Sequence, residues 1–260
     1  MSEGRLVYEK RDAVAQISFD NPSAHNALTH RMWCDLRDVC RQIAQDSSIR
    51  AVTFRGVGGK AFISGTDISG FVSFTSGRDG IAYERHIDEC MAAVDALPMT
   101  TIAIIEGWAV GGGLNIFSAA DIRIATPDAR FASPLGRTIG NCLSMSSCAR
   151  IAGAIGVTMA KRMLLLGEVI SAQEMMGRGV LYNVVDAGGL DAAVEALCQR
   201  AVSNAPLTTR VSKEMIRRLS TANLPNIDDL IEQVYGSEDF KRGVQNFVAK
   251  NKGVPQWSGT

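Results

Sequence analysis

The chain has 260 residues, of which 46% are hydrophobic and 21% are charged, and its 27 basic residues balance 27 acidic ones. This length and composition are typical of a globular protein with one large domain, or with a core and a smaller appendage. A net charge of zero gives no electrostatic reason to expect nucleic acid or an anionic membrane as the main partner.

The opening segment, MSEGRLVYEKRD, has no apolar stretch of the signal-peptide kind, and the longest apolar runs fall far short of a membrane span. We therefore expect a cytoplasmic protein. Six cysteines without a C-x-x-C pair favour reduced thiols over a disulfide framework. The histidines, His25, His30 and His86, show no zinc-ligand spacing with those cysteines, so no metal site is expected.

In chain order, the first predicted elements are two strands, LVYEKRD and AVAQISFD, which end at the turn formers Asn21 and Pro22. Thr29 is expected to cap a helix that runs to about Gln45. The strand RAVTFR then leads into a glycine-rich loop, GVGGKAFISGTD. An amphipathic helix is expected at about 80–96, with a polar cluster formed by Glu84, His86, Asp88 and Glu89. The common explanation of such a cluster is an exposed helix face.

The segment TTIAIIEG predicts a buried strand, because its β-branched run is continuous, and DIRIAT predicts another. Between them, GWAVGGGLNIFSAA is a loop that enters a helix. After about residue 142 helical patterns dominate, with one strand expected at VLYNVVD; the helices are expected at 156–166, 171–177, 190–203, 206–219, 226–235 and 237–250. We therefore predict an α/β core over residues 1–190 and a helical region over 191–260.

The segment from Gly56 to Ala61 fits G-x-G-x-x-A after a strand, which is the form of a dinucleotide-binding fingerprint. That interpretation, a nicotinamide-dependent oxidoreductase, requires a helix to begin at the glycines. The residues that follow, FISGTDIS, are rich in turn formers, so the requirement is expected to fail.

Two further loops, Ser64–Asp67 and Gly111–Gly113, each follow a predicted strand. Glycine lets a ligand approach the backbone closely, and free N–H groups at a helix start favour a negatively charged oxygen. One amide from each loop, aimed at the same point, would form an oxyanion hole. The alternative is a pair of turns that need glycine only for their geometry.

Taken in this order, the loops and their surroundings resemble the crotonase (enoyl-CoA hydratase/isomerase) superfamily. The resemblance covers nearly the whole chain. It rests on the stretches NPSAHNALTHRM (21–32), KAFISGTDISGF (60–71), AIIEGWAVGGGLNIFSAADIRIAT (103–126), RFASP (130–134), RMLLLGEVISAQEMMGRGVLYNVVD (162–186) and SEDFKRGVQNFVAK (237–250).

This resemblance implies an α/β fold, a spiral of ββα units followed by a C-terminal helical region that builds a homotrimer, often paired into a hexamer. It implies an acyl-coenzyme A substrate, no separate cofactor, and an oxyanion hole made by the amides of Thr66 and Gly112. Asp67, in the family's G-x-D position, is expected to secure its own loop. Contacts to coenzyme A are implied for Ala24, His25, Ala27, Ala61, Asp67, Ile68, Phe247 and Lys250, the last two in some cases from a neighbouring subunit.

The sequence departs from the family at both glutamates that hold and activate water in its hydratases. Asn115 occupies the first position, and an amide cannot exchange protons at neutral pH. The second falls at Leu135 or, across an apparent one-residue insertion, at Gly136. No acidic residue lies between Ala129 and Arg150, which makes the two-glutamate hydration mechanism doubtful.

Three other side chains are candidates for the missing chemistry. Arg137 could bind a substrate carboxylate, although a surface or structural arginine is the alternative. Cys142 could be a nucleophile if its pKa were depressed, although an inert buried thiol is more common. His86 could be a general base. Polar neighbours in the same region are Ser133, Thr138, Asn141 and Ser144.

Two hypotheses follow from these features. The first is an acyl-coenzyme A enzyme of the enoyl-CoA hydratase/isomerase kind that forms an enolate, with isomerisation, decarboxylation or thioester hydrolysis as its reaction. The second is an inactive acyl-coenzyme A binder or scaffold that keeps the fold without catalysis.

Overall fold

The computed structural model describes residues 4–221 and 226–251, together with Pro255 and Trp257. The described residues form ten strands: β1 (Arg5–Arg11), β2 (Val14–Asp20), β3 (Ala51–Gly56), β4 (Ala61–Ile63), β5 (Thr100–Ile105), β6 (Trp108–Val110), β7 (Ile122–Ala125), β8 (Arg130–Ala132), β9 (Ile170–Ser171) and β10 (Asn183–Val184). Short 3-10 helices lie at Pro22–Ala24 and Ser69–Ser73.

The α-helices of the described residues begin after the second strand and dominate the C-terminal half. They are α1 (His30–Gln45), α2 (Gly77–Asp95), α3 (Gly112–Ala119), α4 (Leu135–Thr138), α5 (Met145–Ile155), α6 (Val157–Leu166), α7 (Ala172–Gly177), α8 (Ala187–Ser203), α9 (Pro206–Thr221), α10 (Asp228–Tyr235) and α11 (Glu238–Val248).

The strands divide between two sheets in a repeating way. The larger sheet has the order β1-β2-β3-β5-β7-β10, and the smaller has the order β4-β6-β8-β9. Each of the pairs β3–β4, β5–β6 and β7–β8 places one strand in each sheet and is followed by a helix. Within each sheet these strands run parallel. This arrangement confirms the predicted spiral of ββα units with a helical C-terminal region.

Strand β5 explains how the larger sheet is buried on both faces. Ile102 and Ile104 pack outward with Ile124, against Leu190 and Leu197 of α8. The alternate residues Ala103 and Ile105 join the main core on the other face. A continuous apolar run is what a strand covered on both sides requires. Helix α8 therefore covers one face of this sheet. The predicted domain boundary after residue 190 falls inside that helix.

Helices α1 and α2 pack against each other beside the two sheets, and both begin where the sequence provides a cap. The Thr29 hydroxyl accepts from Met32 N at 3.2 Å, as predicted for α1. In α2, Ser76 and Asp79 form a capping box. These helices carry side chains of the site described below.

The sequence predictions lack the short strands β4, β6, β8 and β9 and the helices α4 and α5. They place the helices from α6 to α11 close to their observed positions. Strands of two or three residues carry too little periodicity to be recognised. After the glycine-rich segment Gly56–Gly59 the chain enters strand β4. The helix that a dinucleotide-binding fingerprint requires does not begin there, as expected from the turn formers, so that interpretation is wrong.

Within the described ranges, no helix combines the length and the apolar character that crossing a membrane would need. All six cysteines are free thiols.

Candidate active site

Two glycine loops meet at the ends of β4 and β6. Gly65 and Gly111 both have positive φ angles, 133° and 51°, which favour glycine. A methyl group built on Gly111 would lie 3.7 Å from the Gly65 Cα, so the two backbones are in contact. A methyl group on Gly112 would lie 3.0 Å from the Thr66 hydroxyl oxygen and 2.9 Å from the Trp33 ring. The fold therefore places residues 66 and 112 side by side.

The backbone amides at these two positions are available to a ligand. Gly112 is the first residue of α3, where an amide has no partner within the helix. Leu28 pairs with the loop on either side of Thr66: its N–H donates to Gly65 O at 2.9 Å, and its carbonyl accepts from Asp67 N at 2.8 Å. Among the described residues, neither the Thr66 amide nor the Gly112 amide donates a backbone hydrogen bond. Two neighbouring amides without partners are what the predicted oxyanion hole requires.

A cavity of about 150 Å³ opens on these loops. None of the described residues that line it is Lys, Arg or His, and Glu84 is its one carboxylic acid. The lining residues are Trp33, Ser64, Gly65, Thr66, Ile68, Phe71, Tyr83, Glu84, Ile87, Val110, Gly111, Gly112, Asn115, Pro134, Leu135, Thr138, Ile139, Asn141, Leu143, Ser147 and Phe247.

Glu84, the carboxylic acid of this cavity's described lining, is held by hydrogen bonds on both oxygens. Its Oε1 accepts from the Tyr235 hydroxyl at 2.6 Å, and its Oε2 accepts from Ser144 N at 2.8 Å. The side chain is buried, and burial raises the pKa of the carboxyl to about 7 although both hydrogen bonds oppose that rise. At neutral pH such a group can both take and return a proton.

The expectation that Glu84 lies on an exposed polar helix face is wrong. Glu84 lies on the buried face of α2 with Gly80, Ile87 and Met91. The signal was present in the sequence, because these positions are spaced three and four apart, as the residues of one helix face are. A carboxylate on an otherwise apolar helix face is a candidate functional group.

Asn115, at the first glutamate position, lies in the cavity wall, and neighbouring side chains engage both ends of its amide. Its Nδ2 donates to the Ser147 hydroxyl at 2.9 Å, and its Oδ1 accepts from Arg150 Nη1 at 2.8 Å. Arg150 in turn forms an ion pair with Asp95 at 2.7 Å. This network fixes the orientation of the Asn115 amide. The amide cannot take a proton from a substrate in the cavity.

The two candidates for the second glutamate position, Leu135 and Gly136, lie at the start of α4. Leu135 lines the cavity, whereas Gly136 is exposed and does not line it. The residue that faces the substrate space at this point is therefore apolar. Asn141, farther along, has a buried Oδ1 without a hydrogen-bond partner in the described part of the chain, and it also lines the cavity.

Comparison with known proteins agrees with this geometry. Residues 9–260 match the family described as Enoyl-CoA hydratase/isomerase. The chain belongs to this family. A short-chain-enoyl-CoA hydratase of Clostridium acetobutylicum is 29% identical over 259 residues, which cover 97% of each protein. An (E)-benzylidenesuccinyl-CoA hydratase of Thauera aromatica is 30% identical over 220 residues, 80% of each protein.

A solved structure of a methylmalonyl-CoA decarboxylase with 2S-carboxypropyl-CoA matches with a TM-score of 0.88 and 25% identity over the full length of both chains. As a member of the enoyl-CoA hydratase/isomerase family, the protein is an acyl-CoA enzyme by descent. The hydratases and the decarboxylase among its relatives show that the family name alone does not specify the reaction.

The segment expected to contact coenzyme A adjoins the loop Ser64–Asp67. The carbonyl oxygen of Ala24 accepts from the Ser64 hydroxyl at 3.1 Å, and that of His25 accepts from Ser64 N at 3.1 Å. Ala27 is partly exposed beside them. Ala61 is buried in β4, and its carbonyl accepts from Asn26 Nδ2 at 2.8 Å. The contacts of these residues with coenzyme A stay predictions.

The remaining residues of that prediction lie at the rim of the cavity or beyond it. Asp67 is exposed and its Oδ1 accepts from Ser69 N at 2.9 Å, which stabilises its own loop. Ile68 and Phe247 line the cavity, Phe247 from α11 of the same chain. Lys250 is exposed just beyond α11, where its N–H donates to Phe247 O at 3.0 Å.

Arg137 and Cys142 do not line this cavity of about 150 Å³. The aliphatic part of Arg137 lies over Gly167, where a methyl group would meet its Cδ at 2.4 Å. Burial raises the pKa of the Cys142 thiol to about 12, which disfavours the thiolate that a nucleophile needs. Their positions give no support to the proposed roles in carboxylate binding and nucleophilic attack.

His86 also lies outside the cavity lining, so its position gives no support to a role as general base. Its ring stacks on His30 with centroids 4.5 Å apart, and its Nε2 lies 4.0 Å from Cys34 Sγ. The expected lack of ligand-like spacing between histidines and cysteines does not hold for His30 and Cys34, which are one helical turn apart in α1.

We expect the raised pKa of Glu84 to appear in the stability of the protein. In the unfolded chain the pKa of this carboxyl is close to the ordinary 4.5, so the unfolded state loses the proton first as pH rises. Stability contributed by protonated Glu84 is complete below pH 4.5 and is lost as pH rises through about 7. At 1.36 kcal/mol per pKa unit, the loss approaches about 3 kcal/mol.

Urea unfolding of the wild type and Glu84→Gln between pH 4.5 and 8.5 measures this loss. The free energy of unfolding of the wild type should fall relative to that of the variant as pH rises. If the free energies of unfolding of the two proteins changed in parallel with pH, the pKa of Glu84 would be the same in the folded and unfolded states.

Proposed function

We propose that this protein catalyses a proton shift within a short-chain acyl-CoA thioester, such as the isomerisation of a 3-enoyl-CoA to a 2-enoyl-CoA. The observation that carries the proposal is the single buried carboxyl of Glu84, with its pKa near 7, in the same cavity as the free amides of Thr66 and Gly112.

In this reaction the Glu84 carboxylate takes a proton from the carbon next to the thioester carbonyl. The electron pair of that C–H bond forms the C=C bond of a dienolate, whose oxygen accepts from the two amides. Protonated Glu84 then delivers the proton to the carbon at the far end of the conjugated system. One carboxyl of pKa near the working pH serves both steps, so a second acid is not needed.

The cavity is less well suited to hydration or decarboxylation. At the two positions whose glutamates hold and activate water in hydratases, both ends of the Asn115 amide are engaged and Leu135 is apolar, so the two-glutamate mechanism has neither of its acids here. Decarboxylation of a malonyl-type thioester benefits from a cation that binds the departing carboxylate. The described lining residues offer none, and Arg137 lies elsewhere.

The size of the cavity suggests the acyl chain. A cavity of about 150 Å³ holds a group of about benzene size, so an acyl chain of roughly four to six carbons would fit. Most of the lining is apolar, as the hydrocarbon part of a substrate requires. Coenzyme A enters this proposal as part of the substrate, and no separate cofactor is needed.

The proposed state is a homotrimer or a hexamer in the cytoplasm. Support for assembly comes from exposed apolar side chains on α6 and α9, namely Leu165, Leu166, Leu207, Met215 and Leu219. Support for the cytoplasm comes from six free cysteines, which a reducing compartment maintains.

A panel of thioesters with about four to six acyl carbons, the range that the cavity size suggests, tests the reaction. Purified protein is incubated with 3-enoyl-, 2-enoyl- and malonyl-type thioesters, and products are followed by mass spectrometry and NMR. We expect conversion of the 3-enoyl thioester with little hydration of the 2-enoyl thioester. If hydration of the 2-enoyl thioester or decarboxylation of the malonyl-type thioester were faster than isomerisation, the proposed reaction would be wrong. Tight binding without any turnover would favour the inactive acyl-CoA binder.

A further inference from the structure

Helices α1 and α2 bring two imidazoles and a thiol to one point on the side of α1 that faces α2. The ligand atoms of His30, Cys34 and His86 all lie within 4.8 Å of one another. His30 Nε2 lies 3.7 Å from Cys34 Sγ, and His86 Nε2 lies 4.0 Å from the same sulfur. The sulfur of Cys90, one turn after His86, is 3.8 Å from His86 Nε2.

These distances are close to those of a tetrahedral zinc site. Bonds of about 2.0 Å to imidazole nitrogen and about 2.3 Å to thiolate sulfur place neighbouring ligand atoms roughly 3.3–3.8 Å apart. The pairs formed by Cys34 with the two histidines, and by His86 with Cys90, need shifts of about half an ångström or less. The nitrogens of His30 and His86 lie within 4.8 Å of each other, so the two exposed or partly buried rings would have to close by up to about 1.5 Å around an ion. The donor set, imidazole with thiolate, is the one that Zn²⁺ prefers.

We propose that His30, Cys34 and His86 bind a zinc ion between α1 and α2, with Cys90 or water as the fourth ligand. Neither this proposal nor its test depends on the reaction proposed above. The ion would link the two helices by bonds that neither helix can form alone.

The surroundings are compatible with a cation. His86 and Cys34 are both partly buried between the two helices, so an ion held there would be shielded from bulk water on one side. The positive charge of Arg37 is offset by Asp38 at 2.8 Å and by Glu89 at 3.5 Å. His30 is exposed, so the ion has a path from solvent.

The site is separate from the acyl cavity but attached to it. None of the three proposed ligands lines that cavity. However, α1 also carries Trp33 and α2 also carries Glu84, and both of these side chains do line it. Because the proposed ligands lie outside the cavity, zinc binding can be measured without any assay of activity.

The test uses untagged, reduced protein stripped of metal. Zinc affinity is measured by competition with a chromophoric chelator, and Co²⁺ is added separately to detect a sulfur-to-cobalt charge-transfer band. Melting temperature is recorded with and without zinc. Three variants are compared with the wild type: Cys34→Ser, the exposed-ligand variant His30→Ala, and the control Cys148→Ser, which removes a thiol in α5.

We expect one zinc per chain in the wild type and in Cys148→Ser, a Co²⁺–thiolate band in both, and a higher melting temperature with zinc. Both ligand variants should bind zinc at least about tenfold more weakly. Cys34→Ser should also lose the band. The proposal is overturned if the wild type binds no stoichiometric zinc, or if His30→Ala, whose side chain is exposed, and Cys34→Ser bind it as tightly as the control.

Discussion

Replacing Glu84 by glutamine is expected to lower the turnover of the preferred thioester by about 10²–10⁴-fold, the usual contribution of a positioned acid or base. Glutamine keeps the size of the side chain, but it cannot take or return a proton. The affinity for coenzyme A esters should change little, because the carboxyl acts on the reacting carbons. Steady-state kinetics and calorimetric binding of a saturated thioester separate these two effects.

The matched control is Glu89→Gln, which removes an exposed carboxylate from the same helix. Circular dichroism must show that both variants fold. The wild-type rate should also rise between pH 6 and pH 8, because more of the carboxyl, with its pKa of about 7, is then ionised. Equal turnover by Glu84→Gln and the wild type would remove Glu84 from the mechanism.

Thr66→Pro is expected to reduce turnover by about 10²–10³-fold, which is the effect of losing one donor of an oxyanion hole. Proline has no N–H, so only the Gly112 amide would remain for the thioester oxygen. The preceding residue, Gly65, has no side chain to hinder a following proline. Single-turnover kinetics with the preferred thioester measures the chemical step directly.

Thr66→Ala is the control, because it keeps the amide and removes the hydroxyl that accepts from Trp33 Nε1 at 3.3 Å. Its turnover should stay near that of the wild type, provided that both variants show native circular dichroism. If Thr66→Pro folds and turns over as fast as Thr66→Ala, the amide of this residue plays no part in catalysis.

The larger sheet, most helices and the two glycine loops could be predicted from the sequence, because local signals encode each of them. The cap at Thr29 and the continuous apolar run of Thr100–Ile105 are examples. The smaller sheet was missed, since its strands of two or three residues are stabilised by tertiary pairing and not by their own pattern.

The site was predicted in part for the same reason. The positions of Thr66, Gly112 and Asn115 follow from motifs within short segments. The orientation of the Glu84 carboxyl depends on hydrogen bonds from Ser144 and from Tyr235, which is 151 positions away. No local sequence pattern encodes such contacts. Only its place on an apolar helix face could have indicated its burial.

The central claim is that two amides and one carboxyl act together on a thioester to form an enolate. Exchange of the α-protons of butyryl-CoA with D₂O, followed by NMR, measures enolate formation without requiring knowledge of the natural product. We predict exchange catalysed by the wild type and by Glu89→Gln, and strong loss of exchange in Glu84→Gln and Thr66→Pro. Butyryl-CoA that binds to the wild type yet keeps its α-protons would contradict the claim.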